Sequence, residues 1–493
     1  MVYDSPLLTI DIGSSSLRVN LFAGGARRLA EYETQAKYEM RSTPDGGADL
    51  DPDALCDALF SAIDRTLASA GAKSVSIAGV GFCSLVSNVL GVDALGRATT
   101  PVYTWADTRC AAQAEALKRV PGAGEIYERT GCSLHTAYLP ARLVWVRETM
   151  PAVWERTALW VTLGDFIYAR LFGRYAQSTS VASWSGLLNR HTADWDDWLL
   201  ALIGVDRLHL PPLVDAGSGF ARLRPQFAAR WPALKDAIWF PCVGDGLTSN
   251  LGSGCYSPGE WAVQVGTSAA IRALVPTEIS SVPPGLWCYR QDSATALVGG
   301  ALSEGGNVFA WLRDTLRVTD FEALEVAAAS LPPDAHGLTM LPFIAGERSP
   351  GWNPSARMTI AGISSATRPV EILRAAQEAI AYRLASVYDL MRRALPEPEH
   401  IVASGGALLG TPGWVQMLAD VLGRPVTMSG EEQASSKGAA ILALRGLGHI
   451  AEYSEVPTTF GETFRPDMAR YEVYRRGLER QHELYKAVNG VDL

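Results

Sequence analysis

Two acidic residues of this sequence stand among small, turn-forming neighbours, and both settings suit chemistry at a phosphate. The first is Asp11, in Leu7-Leu8-Thr9-Ile10-Asp11-Ile12-Gly13-Ser14-Ser15-Ser16. Gly13 lets the backbone turn without a Cβ clash, and Ser14, Ser15 and Ser16 add hydroxyls beside free N–H groups, a combination that fits phosphate oxygens. A carboxylate beside a phosphate is repelled unless a cation stands between them, so a functional Asp11 implies magnesium held partly through water. Read alone, the stretch is equally a serine-rich hairpin with an exposed acid. The second acid, Asp245, ends the hydrophobic run that starts at Ile238 and is flanked by Gly244 and Gly246. That places a carboxylate at the end of a strand, where α/β folds put their ligands. A third group, Trp105, Asp107 and Arg109, sits on alternate positions, which in an extended segment point to one side. An aromatic face, an acceptor and a fixed cation form a polyol or sugar-acid site, or else a core Trp beside a surface ion pair.

The elements that must carry these residues are legible in outline. Leu7 to Phe22 reads as a hairpin. From Asp53 to Ala70 the four-residue spacing of Leu55, Leu59, Ile63 and Leu67 predicts a helix with one apolar stripe. Val75 to Phe82 reads as a buried strand that empties into a loop containing Ser87 and Asn88. Val265-Gly266-Thr267-Ser268 with Ile271-Arg272 repeats Ile12-Gly13-Ser14-Ser15 with Leu17-Arg18, allowing one extra residue in the second turn. Two such hairpins half a chain apart suggest a duplicated domain, and if the copies face each other both turns can grip one polyphosphate. Farther on, Gly305-Gly306-Asn307 precedes a helix, and Pro369 opens a long one with Leu373, Ala376, Ile380, Leu384, Val387 and Met391 on one face. Ser404-Gly405-Gly406 follows a strand, and its glycines let a flat base or a phosphate approach the backbone. The tail from about Pro457 reads as a peripheral helix.

Composition bounds the function. At 493 residues, with 48% hydrophobic and 19% charged residues, the chain is a core-rich α/β protein of more than one domain. Its net charge of −9 argues against nucleic acid or an anionic membrane surface as main partner. Seven scattered cysteines with no C-x-x-C pair fit buried thiols in a reducing cytoplasm better than a disulfide frame or a zinc site. No signal-like segment or apolar run of spanning length is evident, so the expected location is cytoplasmic.

Taken in order, Asp11-Ile12-Gly13-Ser14-Ser15-Ser16, Trp105-Ala106-Asp107-Thr108-Arg109, Gly244-Asp245-Gly246, Gly266-Thr267-Ser268, Gly305-Gly306, Gly346-Glu347-Arg348-x-Pro350, Ser404-Gly405-Gly406 and Lys437-Gly438-Ala439-Ala440 resemble the FGGY family of carbohydrate kinases, within the actin-like ATPase group. The resemblance implies two ribonuclease-H-like α/β domains, residues 1–246 and 247–493, with ATP and a small carbohydrate in the cleft between them. It implies that Asp245 is the catalytic base and Asp11 the magnesium-side carboxylate. Gly13, Ser14, Ser15, Ser16, Gly266, Thr267 and Ser268 would be the phosphate loops, with Gly305, Gly306, Gly405 and Gly406 also on the nucleotide. Ser87, Asn88, Trp105, Asp107, Arg109 and Asp245 would line the acceptor site, and a homodimer is allowed. Two departures bear on the acceptor. Many relatives carry a polar set such as Gln-Met-His-Gly after the third strand, where this chain has Cys83-Ser84-Leu85-Val86-Ser87-Asn88, and Arg142 replaces the usual lysine. The Trp-Ala-Asp-Thr-Arg and Gly-Glu-Arg stretches are most similar to gluconokinase-type members, with Arg109 available to an acid substrate. Gluconate is therefore the leading acceptor, with xylulose or another ketopentose or polyol as the alternative. Glycerol fits less well, because the glycerol kinases' Gln-Arg-Glu pattern is absent. A different class, a non-catalytic actin-like nucleotide-binding regulator, is distinguished by hydrolysis that does not depend on a sugar.

Overall fold

The computed structural model describes residues 5–71, 76–277, 279, 281–409 and 411–491. Two mixed sheets organise the chain, one built from residues between Leu7 and Gly244 and the other from residues between Glu260 and Phe464. In the first, the strand Leu7–Ile12 pairs antiparallel with Ser16–Ala23, which pairs antiparallel with Arg27–Lys37. On its other side Leu7–Ile12 runs parallel to Gly79–Ser84, which carries the short parallel strands Ile238–Trp239 and Val243–Gly244. The second sheet repeats this plan. Glu260–Val265 pairs antiparallel with Ala269–Pro276, which pairs antiparallel with Thr295–Leu302, while its other edge takes the parallel strand His400–Ser404 and then Val426–Ser429. The expected duplication is thus a duplication of topology, and each half is a ribonuclease-H-like α/β unit.

The register changes one detail of the repeat. Four residues, Gly13 to Ser16, separate the last pair Ile12–Leu17 of the first hairpin, and three, Gly266 to Ser268, separate Val265–Ala269 of the second. The second turn is therefore the shorter one, and Arg272 lies opposite Ala262, two rungs beyond the place that corresponds to Arg18. Because side chains alternate with a period of two, a two-rung offset leaves both arginines on corresponding faces.

Helices cover the sheets as the apolar spacing requires. Pro52–Ala70 is capped by Asp51, whose side chain accepts from the N–H groups of Asp53 and Ala54, and it buries Leu55, Leu59 and Ile63. Pro369–Met391 buries all six residues of its predicted face against the second sheet. The strand predicted from Val75 begins at Gly79, and Val75 itself lies outside the described residues. The tail is more integral than expected. It adds the edge strand Phe460–Phe464 and then the helix Met468–Asn489, which buries Tyr474, Leu478, Gln481 and Tyr485. All seven cysteines are buried and unpaired. Among the described residues, no helix is long and apolar enough to cross a membrane.

The halves are interlocked by two short helices. Asp245–Gly252 follows the last strand of the first sheet and packs along Ala434–Gly446, which comes from the second half yet lies on the strands Leu7–Ile12 and Gly79–Ser84 of the first. The contact depends on small residues. A Cβ added at Gly438 would stand 1.8 Å from the carbonyl oxygen of Thr248, a backbone atom that cannot swing away. Gly438→Ala is accordingly expected to cost about 1–3 kcal/mol, seen as a lower midpoint of thermal unfolding by calorimetry. An unchanged midpoint would show that this joint is loosely packed.

Candidate active site

Both hairpin turns line one cavity of ≈ 430 Å³ to which the two halves contribute. The first turn is closed by a hydrogen bond from Gly13 N to Ser16 O (2.9 Å) and the second by Gly266 N to Ser268 O (2.9 Å). Tyr38 braces the first turn, its hydroxyl donating to Gly13 O and its N–H to Ser15 O. The second turn is braced from behind, Gly306 N donating to Gly266 O (2.7 Å) and Asn307 N to Thr267 O (3.1 Å). Gly305 and Gly306 therefore support the turn and are not among the cavity-lining residues, whereas Gly13, Ser14, Ser15, Ser16, Gly266, Thr267 and Ser268 are. Gly405 and Gly406 line the same cavity, as do Leu409 and the segment Glu431 to Ser435.

Asp11 and Asp245 both open onto this cavity. Asp11 stands opposite Arg18 in the hairpin, with Arg18 Nη1 3.9 Å from its Oδ2, and the Cys83 thiol lies 3.6 Å from its Oδ1. Burial raises the Asp11 pKa, and Arg18 and the thiol offset only part of that rise. A buried carboxylate with one distant cation, next to serine hydroxyls, is a hard-oxygen site short of positive charge, and it fits a magnesium ion. Asp245 is the first residue of its helix, where the macrodipole favours an anion. Its carboxyl is nonetheless pushed up to about 6, first by burial and then by the negative charge of Asp11, against the pull of Arg272, the Gly246 N–H and Arg348. At neutral pH such a group is ionised yet basic enough to take a proton. Arg272 anchors the start of the same helix, Nη1 donating to Gly246 O (2.9 Å) and Nη2 to Gln264.

The third group of sequence candidates is split. Trp105 lines the cavity, with the Arg348 guanidinium 4.5 Å from its ring centre. Ser87 lines it too, its Oγ donating to Trp184 O (2.7 Å) and its carbonyl accepting from Arg142 Nη1 (2.9 Å). Asn88, Asp107 and Arg109 are not among the lining residues. Asn88 is spent on the backbone, donating to Leu85 O (2.6 Å) and accepting from Leu163 N (2.8 Å). Asp107 pairs with Arg109 at 2.5 Å and accepts from Ala48 N, and Arg109 also reaches Asp49 and lies over Trp145. The expectation of a shared face fails because the strand is only Val102–Tyr103 and the chain turns at Trp105.

What sequence reading passed over is an aromatic wall. Trp184 and Trp287 each stack on Tyr289, the Trp184–Tyr289 centroids being 3.8 Å apart, and Tyr138 joins Tyr289 through a 2.6 Å hydroxyl–hydroxyl bond. Together with Trp352 they line the cavity beside Trp105. The Trp184 indole also lies where a Cβ on Gly244 or Gly246 would stand, 2.8 and 2.9 Å from ring atoms, so the two glycines around Asp245 are needed for this close approach. The Gly-x-Gly frame was visible in the sequence. Its partner, more than fifty residues away, was not.

Comparisons with known proteins place the chain in a family. Residues 7–252 match the model of the N-terminal domain of the FGGY family of carbohydrate kinases, and residues 261–447 that of the C-terminal domain. The chain is 27% identical over 472 residues to a gluconokinase of Bacillus subtilis, covering 94% of this chain and 91% of that protein. It is 29% identical over 479 residues to a glycerol kinase of Rhodospirillum centenum, covering 94% of each. Among solved structures, a xylulose kinase from Lactobacillus acidophilus superposes with a TM-score of 0.91 at 24% identity, covering 98% of each chain.

The raised pKa of Asp245 sets a pH dependence of stability. Folding raises it from an ordinary 3.8 to about 6, so the folded protein holds this proton to higher pH than the unfolded chain does. The resulting penalty is absent below pH 3.8, grows as pH rises, and is complete above about 6. Asp245→Asn, which carries no charge, is expected to be more stable than the parent by roughly 3 kcal/mol at pH 8, with most of the gain lost near pH 4. Thermal midpoints at the two pH values check this, and a gain that does not depend on pH would contradict it.

Proposed function

The chain belongs to the FGGY family of carbohydrate kinases, phosphotransferases that use ATP and an alcohol acceptor, and from that premise we propose that it transfers the γ-phosphoryl group of ATP to a hydroxyl of a sugar acid, gluconate being the best-supported acceptor. The observation that carries the reading is that Asp11, Asp245 and both hairpin turns line a single cavity. In this reading Asp245 accepts the proton of the attacking hydroxyl. The N–H groups and hydroxyls of Ser14, Ser15, Thr267 and Ser268 receive phosphate oxygens, and Gly405 and Gly406 let the adenosine approach the backbone. Asp11 would hold the magnesium that accompanies ATP, which supplies positive charge to the phosphates. Little covalent help is needed. The chain's task is to align hydroxyl and phosphate and to balance charge.

The acceptor is read from the relatives and from the wall of the cavity. Two gluconokinases at 27% and 28% identity span nearly the whole chain. Arg109, the cation expected to serve an acid, is engaged elsewhere, but Arg348 and Arg272 line the cavity in its stead. ADP release measured with gluconate, xylulose, ribulose and glycerol side by side tests the whole reading. Gluconate is expected to give the highest kcat/KM, and hydrolysis that no acceptor stimulates would overturn the kinase reading in favour of a regulator. Asp245→Asn is expected to lower kcat by about 10²–10⁴-fold while calorimetry still detects binding of acceptor and nucleotide. Turnover near that of the parent would remove Asp245 from the role of base.

A further inference from the structure

Among the described residues, three cations line the cavity, namely Arg18, Arg272 and Arg348. The first two already have tasks. Arg18 faces Asp11, and Arg272 is bonded to Gly246 O and Gln264. Arg348 differs, because among the described residues its only hydrogen bond goes from Nη2 to a backbone carbonyl, that of Leu302, and its Nε makes none. Stacking over Trp105 fixes the guanidinium plane without consuming an N–H.

Two of the acids near Arg348, Glu347 and Glu304, are committed or shifted toward the neutral form. Its neighbour Glu347 is fully buried and accepts from Arg383, from the Tyr485 hydroxyl (2.6 Å) and from Gly351 N (3.1 Å). Glu304 lies just beyond Leu302, is 1% exposed, and leaves its Oε1 without a partner. Burial pushes its carboxyl up to about 8, so it is neutral at pH 7. Arg348 is therefore a half-buried cation with an unpaired Nε and, among the described residues, no ion-pair partner in contact, a state that a ligand's counter-ion would relieve. Asp245 lines the same cavity and feels the charge of Arg348.

We infer that Arg348 binds the carboxylate of the acceptor and is the residue that makes the chain prefer a polyhydroxy monocarboxylate of the aldonate type to a neutral polyol or ketose. The acceptor's carboxylate lies on the guanidinium, its carbon chain runs along the aromatic wall, and a distal hydroxyl meets Asp245. The loop Gly346 to Pro354 presents Arg348 and Trp352 together, and the buried Glu347–Arg383–Tyr485 contacts hold that loop. This inference rests on the kinase reading and goes beyond it, since it names the residue on which the choice of acceptor depends.

The test compares kcat/KM for gluconate with kcat/KM for xylulose in the parent, Arg348→Gln and Arg348→Lys, with circular dichroism and calorimetry as folding controls. The expected result is a fall of roughly 100-fold or more in the gluconate-to-xylulose ratio for Arg348→Gln, the scale of removing one partner of a buried charge pair. Arg348→Lys, which keeps the charge and the stem, should recover part of it and serves alone if Arg348→Gln does not fold. A ratio unchanged in Arg348→Gln, whether both acceptors fall together or neither does, overturns the inference. So does a ratio in Arg348→Lys equal to the parent's when Arg348→Gln is not obtained, because the bidentate fork would then be dispensable. If the parent phosphorylates neutral acceptors while aldonates neither react nor compete, the inference fails and the kinase reading stands. If no acceptor stimulates ADP release, both fail.

Discussion

Two carboxylates held on one cavity set the terms for everything around them. Burial raises the cost of ionising both Asp11 and Asp245, and the charge of Asp11 adds to it for Asp245. Neither could remain charged there without nearby positive charge, and the chain supplies less than full compensation: Arg18 at 3.9 Å for one, Arg272 and the start of a helix for the other. The remaining deficit is what a metal ion bound with the nucleotide would relieve. Closeness to the second half is thus electrostatically required, since Arg272 and Arg348, which draw the Asp245 pKa down, both come from beyond residue 260.

The duplicated topology explains how one short motif can do two jobs. Each hairpin presents a turn of small residues at the end of a strand that is flanked by an antiparallel and a parallel neighbour, so the turn is fixed from both sides. The copies have diverged where their tasks differ. The first keeps an acid two residues before its turn, with Arg18 opposite, and the second has Gln264 in the matching place, with Ala270 opposite. A second acid there would add a further negative charge beside Asp11 and Asp245, in a cavity that Glu431 and Glu432 also line.

What could be read in the sequence follows the range of the forces involved. The two turns, the helix stripes from Pro52 and Pro369, and the Gly-Asp-Gly at 244–246 are local patterns whose reason lies within a few residues, and they were legible. The family resemblance carried the fold further, because eight short motifs in order constrain a topology that no single one does. Trp105, Asp107 and Arg109 were misjudged as one face because a turn at Trp105 interrupts the alternation, and only the ion pairs to Asp49 and the packing on Trp145 reveal where Arg109 goes. The aromatic wall was illegible for a different reason. Trp184, Trp287, Tyr289 and Trp352 are core-like by composition, and they become cavity walls only when segments from both halves meet.

The helix Ala434–Gly446 also bears on how the protein comes into being. It belongs to the second half by sequence, yet its residues Ala439, Ala440, Ile441, Ala443 and Leu444 complete a cluster with Leu7, Phe22, Leu247 and Leu251. While the chain is being synthesised, the first sheet therefore has one apolar face uncovered until residue 446 has emerged. At about 5–20 residues per second that interval lasts roughly 10–40 s after Gly252 is made. The face that Ala434–Gly446 covers is thus the last part of the first half to be buried.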